Sequence, residues 1–239
     1  MPTRDATTPG LVVALDGPAS SGKSSVGAAA AERLGYRFLD TGLLYRALTY
    51  LALALGHQPS EAGPLLEDLR RVEVVPDAAG RYRRVRLDGR DVTDEVRSPA
   101  VDGRVSEFAA IPEVRRALEP RQRELAHDGA ILVAGRDIGT EILPDADLKI
   151  FLDASAEERA RRRAEERGLD PDGAEAAAIL ADLRRRDAAD KGRSVAPLRP
   201  ADDALILRTD GNSWEETVRL VVDAIREAEA ARRTTMRVR

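Results

Sequence analysis

Gly17-Pro18-Ala19-Ser20-Ser21-Gly22-Lys23-Ser24 is the stretch whose residue types and spacing point most directly to chemistry. It fits the pattern G-x-x-x-x-G-K-[ST] at every fixed position. Glycines so placed let backbone N–H groups turn inward around an anion. A helix starting at Lys23 adds its unpaired N–H groups and the positive end of its dipole. Lys23 would reach the outer phosphates of a bound nucleotide, and the Ser24 hydroxyl would help hold Mg²⁺. Ser25 ends the run of candidate nucleotide-binding residues. The plain alternative is a Gly/Ser turn carrying an exposed lysine. It does not explain why an apolar run, Leu11 to Leu15, enters the loop and a helical stretch, Lys23 to Leu34, leaves it towards Gly35.

Arginine supplies the second kind of chemistry. Asp40-Thr41-Gly42 is followed by Tyr45-Arg46, Arg115 by Arg121 and Arg123, and Arg136 stands beside Asp137. Arg184 to Arg186 precede Asp187, Asp190 and Arg193. Any one of these reads as solvated surface charge, and Arg159 to Arg163 as the exposed face of a helix with glutamate partners. Four placements beside strand ends or polar turns, taken together, suit a small anionic ligand, because arginine stays charged and pairs two phosphate oxygens at once.

The elements that must position these groups alternate along the chain. Tyr36 to Leu39 reads as a second strand, and Gly42 to Leu55 as a helix closed by Gly56. Ile131 to Ala134 and Leu148 to Leu152 lack polar alternation, as strands buried on both faces do. Ala204 to Leu207 makes a fifth strand. Ser155 with Glu158, and Ser213 with Glu216, have capping-box spacing for the helices that follow. The expectation is an α/β fold: a five-stranded parallel sheet of the P-loop type, flanked by helices, with ligands beyond the carboxyl ends of the strands.

One segment departs from that rhythm. Val72 to Val92 alternates around turns at Asp77–Gly80 and Asp88-Gly89, which predicts a small antiparallel meander. Ser98-Pro99 opens a helix through Ala110. Pro112 opens another, in which Pro120 predicts a kink or break. Residues 65–126 therefore read as an inserted subdomain. Residues 1–10 read as a disordered tail, and 231–239 as a basic one.

Composition narrows the class. Of 38 basic residues only Lys23, Lys149 and Lys191 are lysines, and the net charge is −4. An acidic chain argues against a general nucleic-acid binder, whose domain is usually basic. The absence of cysteine excludes disulfides and thiolate metal sites and suits a reducing, cytoplasmic setting. No apolar run reaches the roughly 18 residues of a membrane span. The missing heptads and apolar stripe favour a monomer.

The ordered set of motifs resembles bacterial cytidylate kinase. It comprises the phosphate loop, Leu39-Asp40-Thr41-Gly42-Leu43-Leu44-Tyr45-Arg46, Gly135-Arg136-Asp137-Ile138-Gly139-Thr140, and Arg186-Asp187-Ala188-Ala189-Asp190-Lys191-Gly192-Arg193. The likeness covers roughly Leu11 to Ile225. It implies a core domain over 11–64 and 127–230, a lid near 159–193, and a nucleoside-monophosphate-binding role for the insert. It implies γ-phosphoryl transfer from ATP to CMP or dCMP, with Mg²⁺. Matched residue by residue, it places Thr41, Arg46, Arg136 and Arg193 around the acceptor phosphate. Ser106, Arg115 and Asp137 would face cytosine, and Arg186 and Asp190 the sugar. Lys23, Arg136 and Arg193 would carry the catalytic charge. Ala134 departs from the family, many of whose members have a carboxylate before Gly-Arg-Asp; Asp16 is then a candidate for the outer shell of the metal.

Two other readings stand beside it. A phosphate-loop kinase of a small alcohol such as shikimate wants a carboxylate base, for which Asp40 is the best candidate. It gives the meander and the pair Ser106 and Arg115 no evident use. A nucleotide switch would favour an Asn-Lys-x-Asp motif, and the sequence has none.

Overall fold

The elements follow the apolar runs closely. The computed structural model describes residues 10–127 and 129–237, so residues 1–9 of the expected N-terminal tail and the last two of the C-terminal one lie outside it. In chain order the elements are β1 (Val12–Asp16), α1 (Lys23–Leu34), β2 (Arg37–Asp40), α2 (Gly42–Leu55), α3 (Ala62–Glu67), β3 (Val72–Pro76), β4 (Arg81–Leu87), β5 (Arg90–Asp91), α4 (Pro99–Ala109) and α5 (Pro112–Ala126). Then come β6 (Ile131–Gly135), β7 (Leu148–Asp153), α6 (Ala156–Glu166), α7 (Ala174–Lys191), β8 (Leu205–Arg208) and α8 (Trp214–Arg237).

Local chemistry explains several boundaries. Gly22 and Gly35 bracket α1 with φ of 86° and 65°, values that favour a residue without a Cβ. Ser213 and Glu216 form a reciprocal box at α8: Ser213 N donates to Glu216 Oε2 at 2.8 Å, and Glu216 N to Ser213 Oγ at 3.2 Å. At α6, Ser155 Oγ accepts from Glu158 N at 3.2 Å. Each cap satisfies donors that the first helical turn leaves free.

Among the described residues one sheet runs β3-β4-β2-β6-β1-β7-β8, with β5 paired to β4. The five expected strands form its parallel centre, β2-β6-β1-β7-β8. The expectation of five strands is corrected to eight, because the meander joins this sheet: Phe38 and Leu39 of β2 pair in parallel with Arg81 and Tyr82 of β4. The predicted turn at Asp88-Gly89 is present, with φ of 50° and 80°.

Two further expectations change. α5 continues through Pro120 without a break. Its buried face of Val114, Leu118 and Leu125 holds it there, so packing outweighs one lost backbone bond. Residues 231–237 are not a tail but the last turns of α8, where Arg232 pairs with Asp147 at 3.2 Å.

The core lies in four clusters. One sheet face packs Val13, Leu15, Leu132 and Ile150 against Val26 of α1 and Val218, Val221 and Ile225 of α8. The opposite face buries Leu39, Val133, Ile138 and Ile142 with Leu125 and Ala126. A third cluster joins α2 to the insert through Leu48, Leu51, Val85, Phe108 and Leu118. α6 and α7 make a smaller fourth cluster with Ala19 of the phosphate loop. No described helix is long and apolar enough to cross a membrane.

Candidate active site

The loop after β1 closes on itself. Gly17 has no room for a Cβ, which would meet the Leu152 carbonyl and Ser21 Oγ. Ser20 and Gly22 take positive φ, 57° and 86°, which bends the chain towards α1. Lys23 is buried at 6% exposure and donates to the Pro18 carbonyl at 2.8 Å. Burial, and then Arg136, hold its ammonium well below the usual lysine pKa, against the opposing pull of Asp40, Asp190 and Asp16. Ser21 Oγ is buried without a hydrogen-bond partner. These are the properties of a cradle arranged for an anion.

A cleft of about 670 Å³ opens over this loop. Ser20, Ser21, Gly22, Lys23, Ser24 and Ser25 line it, whereas Gly17, Pro18 and Ala19 do not. Those three shape the loop from behind. Arg161, Arg162, Asn212, Ser213, Trp214 and Thr217 line it as well. The same cleft brings together every residue proposed for the acceptor: Thr41, Arg46, Ser106, Arg115, Arg136, Asp137, Arg186, Asp190 and Arg193.

Among these residues the arginines come already paired. Arg115 lies under Tyr45, 5.5 Å from the ring centre, and donates to the Ala109 carbonyl at 3.1 Å and to Asp137. Burial lowers the Arg115 pKa, but Tyr45 and Asp137 outweigh it and raise it overall. Asp190 accepts from Arg136 Nε at 2.8 Å on one oxygen and from Arg193 on the other. Burial pushes the Asp190 carboxyl up, while Arg136 and Arg193 hold it below the ordinary range. The position assigned to sugar contact is thus also the hub that aims two arginines. Arg186 is buried with Nε unpartnered, and burial and Arg136 depress its pKa. Arg193 Nε is likewise buried and unpartnered. Thr41 Oγ1 donates to the Ala134 carbonyl at 2.9 Å, so its hydroxyl proton is already committed.

Asp16 ends β1 beneath this arrangement. Its two oxygens accept from Ile138 N at 2.9 Å and Gly139 N at 2.8 Å, which starts a π-helical turn over Ile138–Ile142. Burial raises its carboxyl to about 6, more than the Gly139 and Ile138 bonds lower it. Gly135 permits the approach, since a Cβ there would meet Ile138 and Thr41 Oγ1 at 2.6 to 2.7 Å.

Sequence reading missed three residues. Arg159 and Arg163, expected on an exposed helix face, turn inward. Arg159 is 3% exposed; it donates to the Ala19 carbonyl at 2.6 Å and pairs with Asp187 at 2.5 Å. Arg163 reaches Ser20 Oγ at 2.9 Å and Asp102 at 3.1 Å. Asp102 also pairs with Arg46 at 2.6 Å. Arg161 and Arg162 do take Glu158, as expected of that face. A signal existed for Arg159, which has no acidic residue three or four positions away, whereas Arg161 has three; Arg163 has Glu166 at that spacing and gave none. Arg121 and Arg184 lie outside the cleft lining, on Glu124 and Glu157.

The comparisons with known proteins fall on this same framework. The family model for cytidylate kinase matches residues 13–227. A cytidylate kinase of Geobacillus kaustophilus (strain HTA426) is 45% identical over 222 residues, covering 91% of this chain and 97% of that protein. A bifunctional pantoate ligase/cytidylate kinase of Synechococcus sp. (strain WH7803) is 47% identical over 221 residues, 90% of this chain. The match spans only 44% of that longer relative. Among solved structures, a gluconokinase from Sinorhizobium meliloti 1021 has a TM-score of 0.47 at 17% identity, over 95% of this chain and 97% of that one.

Proposed function

The chain belongs to the cytidylate kinase family, and from that premise we propose that it transfers the γ-phosphoryl group of ATP to CMP or dCMP, giving ADP and CDP or dCDP. The observation that carries this reading is the convergence of unpaired donors on one cleft. Ser21 Oγ of the phosphate loop, Arg186 Nε and Arg193 Nε belong to residues that line this one cleft, and all three are buried without partners. Two anions entering that cleft would satisfy them.

The chemistry follows from charge. An oxygen of the acceptor phosphate attacks Pγ, and the bond from Pγ to the β–γ bridging oxygen breaks. The acceptor's second pKa is about 6, so it is mostly a dianion at neutral pH and needs no side chain to take a proton. What it needs is relief from repulsion. Lys23 leaves the Pro18 carbonyl for the donor's outer phosphates, while Arg136 and Arg193, held by Asp190, face the acceptor phosphate and the group in transit. Ser106 with the Arg115–Asp137 pair offers acceptors and a donor to a base. Arg186 and Asp190 stand where the sugar passes.

Mg²⁺ fits this donor set. The Ser24 side chain is exposed at the first turn of α1 and lines the cleft. Asp16 is fixed by two backbone N–H groups and would act from the outer shell. Among the described residues no group of three histidine or carboxylate side chains comes together, so the nucleotide and water would supply most ligands. The ion, when bound, supplies positive charge to the transferring phosphoryl group. Asp40, the candidate base for an alcohol acceptor, accepts from Gly42 N at 3.0 Å and serves the start of α2.

An acceptor panel tests the reaction class. With ATP and Mg²⁺, ADP release should depend on a nucleoside monophosphate and be negligible with shikimate, gluconate or water alone. Turnover of a hydroxyl acceptor at rates matching CMP would remove this reading.

A further inference from the structure

Asp102 is a carboxylate that the assigned reaction does not ask for. It projects from α4 one turn before Ser106, in a region that must receive an anion. Its Oδ1 accepts from Arg46 Nη2 at 2.6 Å, and its Oδ2 from Arg163 Nη2 at 3.1 Å. Arg163 extends the chain of bonds, because its Nη1 donates to Ser20 Oγ at 2.9 Å. One carboxylate therefore ties α2, the insert, α6 and the phosphate loop together across the cleft. Both sides of the pair are about one-fifth exposed, Arg46 at 22% and Asp102 at 21%. Burial alone would push the Asp102 carboxyl up, but Arg46, then Arg186 and Arg163, hold it below the usual carboxylate range. It is charged at neutral pH.

We propose that Asp102 is a positioning residue that stands in for the acceptor phosphate while the cleft is empty, holding Arg46 and Arg163 in place, and that it yields Arg46 to the phosphate when the acceptor arrives. The proposal rests on the assigned reaction and deepens it.

Two consequences follow, and they have opposite signs for affinity and rate. A carboxylate already bonded to Arg46 competes with the incoming phosphate, so its charge weakens acceptor binding. The same carboxylate holds the second branch of the Arg163 fork, whose first branch is on the phosphate loop. Without Asp102 the fork has one anchor, and α6 loses its tie to the insert where transfer takes place. Neutralising Asp102 should therefore tighten binding and slow turnover. A residue that only held the fold together would weaken both.

The test uses the full chain carrying Asp102→Asn, Asp102→Glu or Arg163→Gln. For Asp102→Asn, the KM for CMP and the calorimetric Kd for inorganic phosphate should both fall by about three- to tenfold, with kcat reduced about tenfold. Asp102→Glu, which restores the charge, should return both towards the wild-type values. Should the Asn variant not fold, Arg163→Gln decides the lid arm: kcat should fall with phosphate affinity unchanged. An unchanged or higher KM and phosphate Kd in Asp102→Asn would overturn the proposal, as would unaltered turnover in Arg163→Gln. Phosphate calorimetry needs no catalysis. A wild-type protein inactive on CMP would therefore count against the reaction, while the phosphate results would still decide on Asp102.

Discussion

On the function proposed above, the phosphate loop and the acceptor residues of the cleft would both receive phosphate, and they are prepared for it by different means. The loop is local: eight consecutive residues, two of them in left-handed geometry, curl the backbone ahead of α1, with a single lysine folded back on a loop carbonyl. The proposed acceptor residues come from α2 and the residue before it, α4, α5, α7 and the residues after it, and the turn after β6, and they offer side chains. Its arginines are held apart by carboxylates, Arg115 on Asp137, Arg136 and Arg193 on Asp190, and Arg46 on Asp102. Backbone N–H groups do not repel one another strongly; a cluster of guanidinium groups does. An anion site made of arginines therefore needs resident anions to be stable when empty. The general lesson is that the carboxylates in such a site arrange charge as much as they contact substrate.

The sharpest way to break the comparison is at the loop's single charged side chain. Lys23→Met keeps most of the stem's volume and removes the cation. Turnover should fall by at least about a hundredfold, because that charge acts on the transition state. The melting temperature should not drop, since a desolvated ammonium has been removed. A folded variant with near-normal turnover would mean that the loop does not hold the donor.

The joint between the two regions gives the next effect. Arg159 pins α6 to the loop through the Ala19 carbonyl and to α7 through Asp187. Arg159→Gln leaves a carboxylate unpaired and should cost about 3 kcal/mol of stability in denaturant unfolding. Amide exchange over Gly168 to Arg193 should quicken, and kcat should fall roughly tenfold as α6 and α7 loosen. Unchanged exchange would make the pairing incidental.

Asp16 supplies a smaller and pH-dependent effect beneath both regions. Its carboxyl is raised from 3.8 to about 6 in the folded, nucleotide-free protein. Between these values the folded state binds more protons than the unfolded one, so Asp16's contribution to stability is present at low pH and declines as pH climbs from about 4 to 6. The decline amounts to about 3 kcal/mol and levels off above that window. Stability of the wild type relative to Asp16→Asn should follow this slope. A pH-independent difference would show that the carboxyl titrates normally.

What could be read in the sequence divides along the same line. The loop and α1 were legible because spacing alone defines them, and Gly22 and Gly35 mark the ends of α1. The five parallel strands were legible as apolar runs, and Ser213 with Glu216 marked the start of α8. Asp102, Arg159 and Arg163 were not. The partners that draw them inward lie 28 to 143 positions away, and locally only Arg159 stands out, by lacking an acidic residue at helical spacing. The union of the meander with the main sheet was hidden for the same reason, since it rests on two residue pairs between distant segments. The π-helical turn after Asp137 depends on Asp16, 122 positions earlier.

The most direct measurement is the ratio of kcat/KM for CMP to that for UMP, with ATP as donor. Cytosine presents an amino donor where uracil presents a carbonyl acceptor. A site that offers the Asp137 carboxylate and the Ser106 oxygen pairs with the first and leaves a buried acceptor facing another acceptor with the second. The account predicts a ratio of at least about one hundred in favour of CMP. Equal efficiency on the two nucleotides would contradict it.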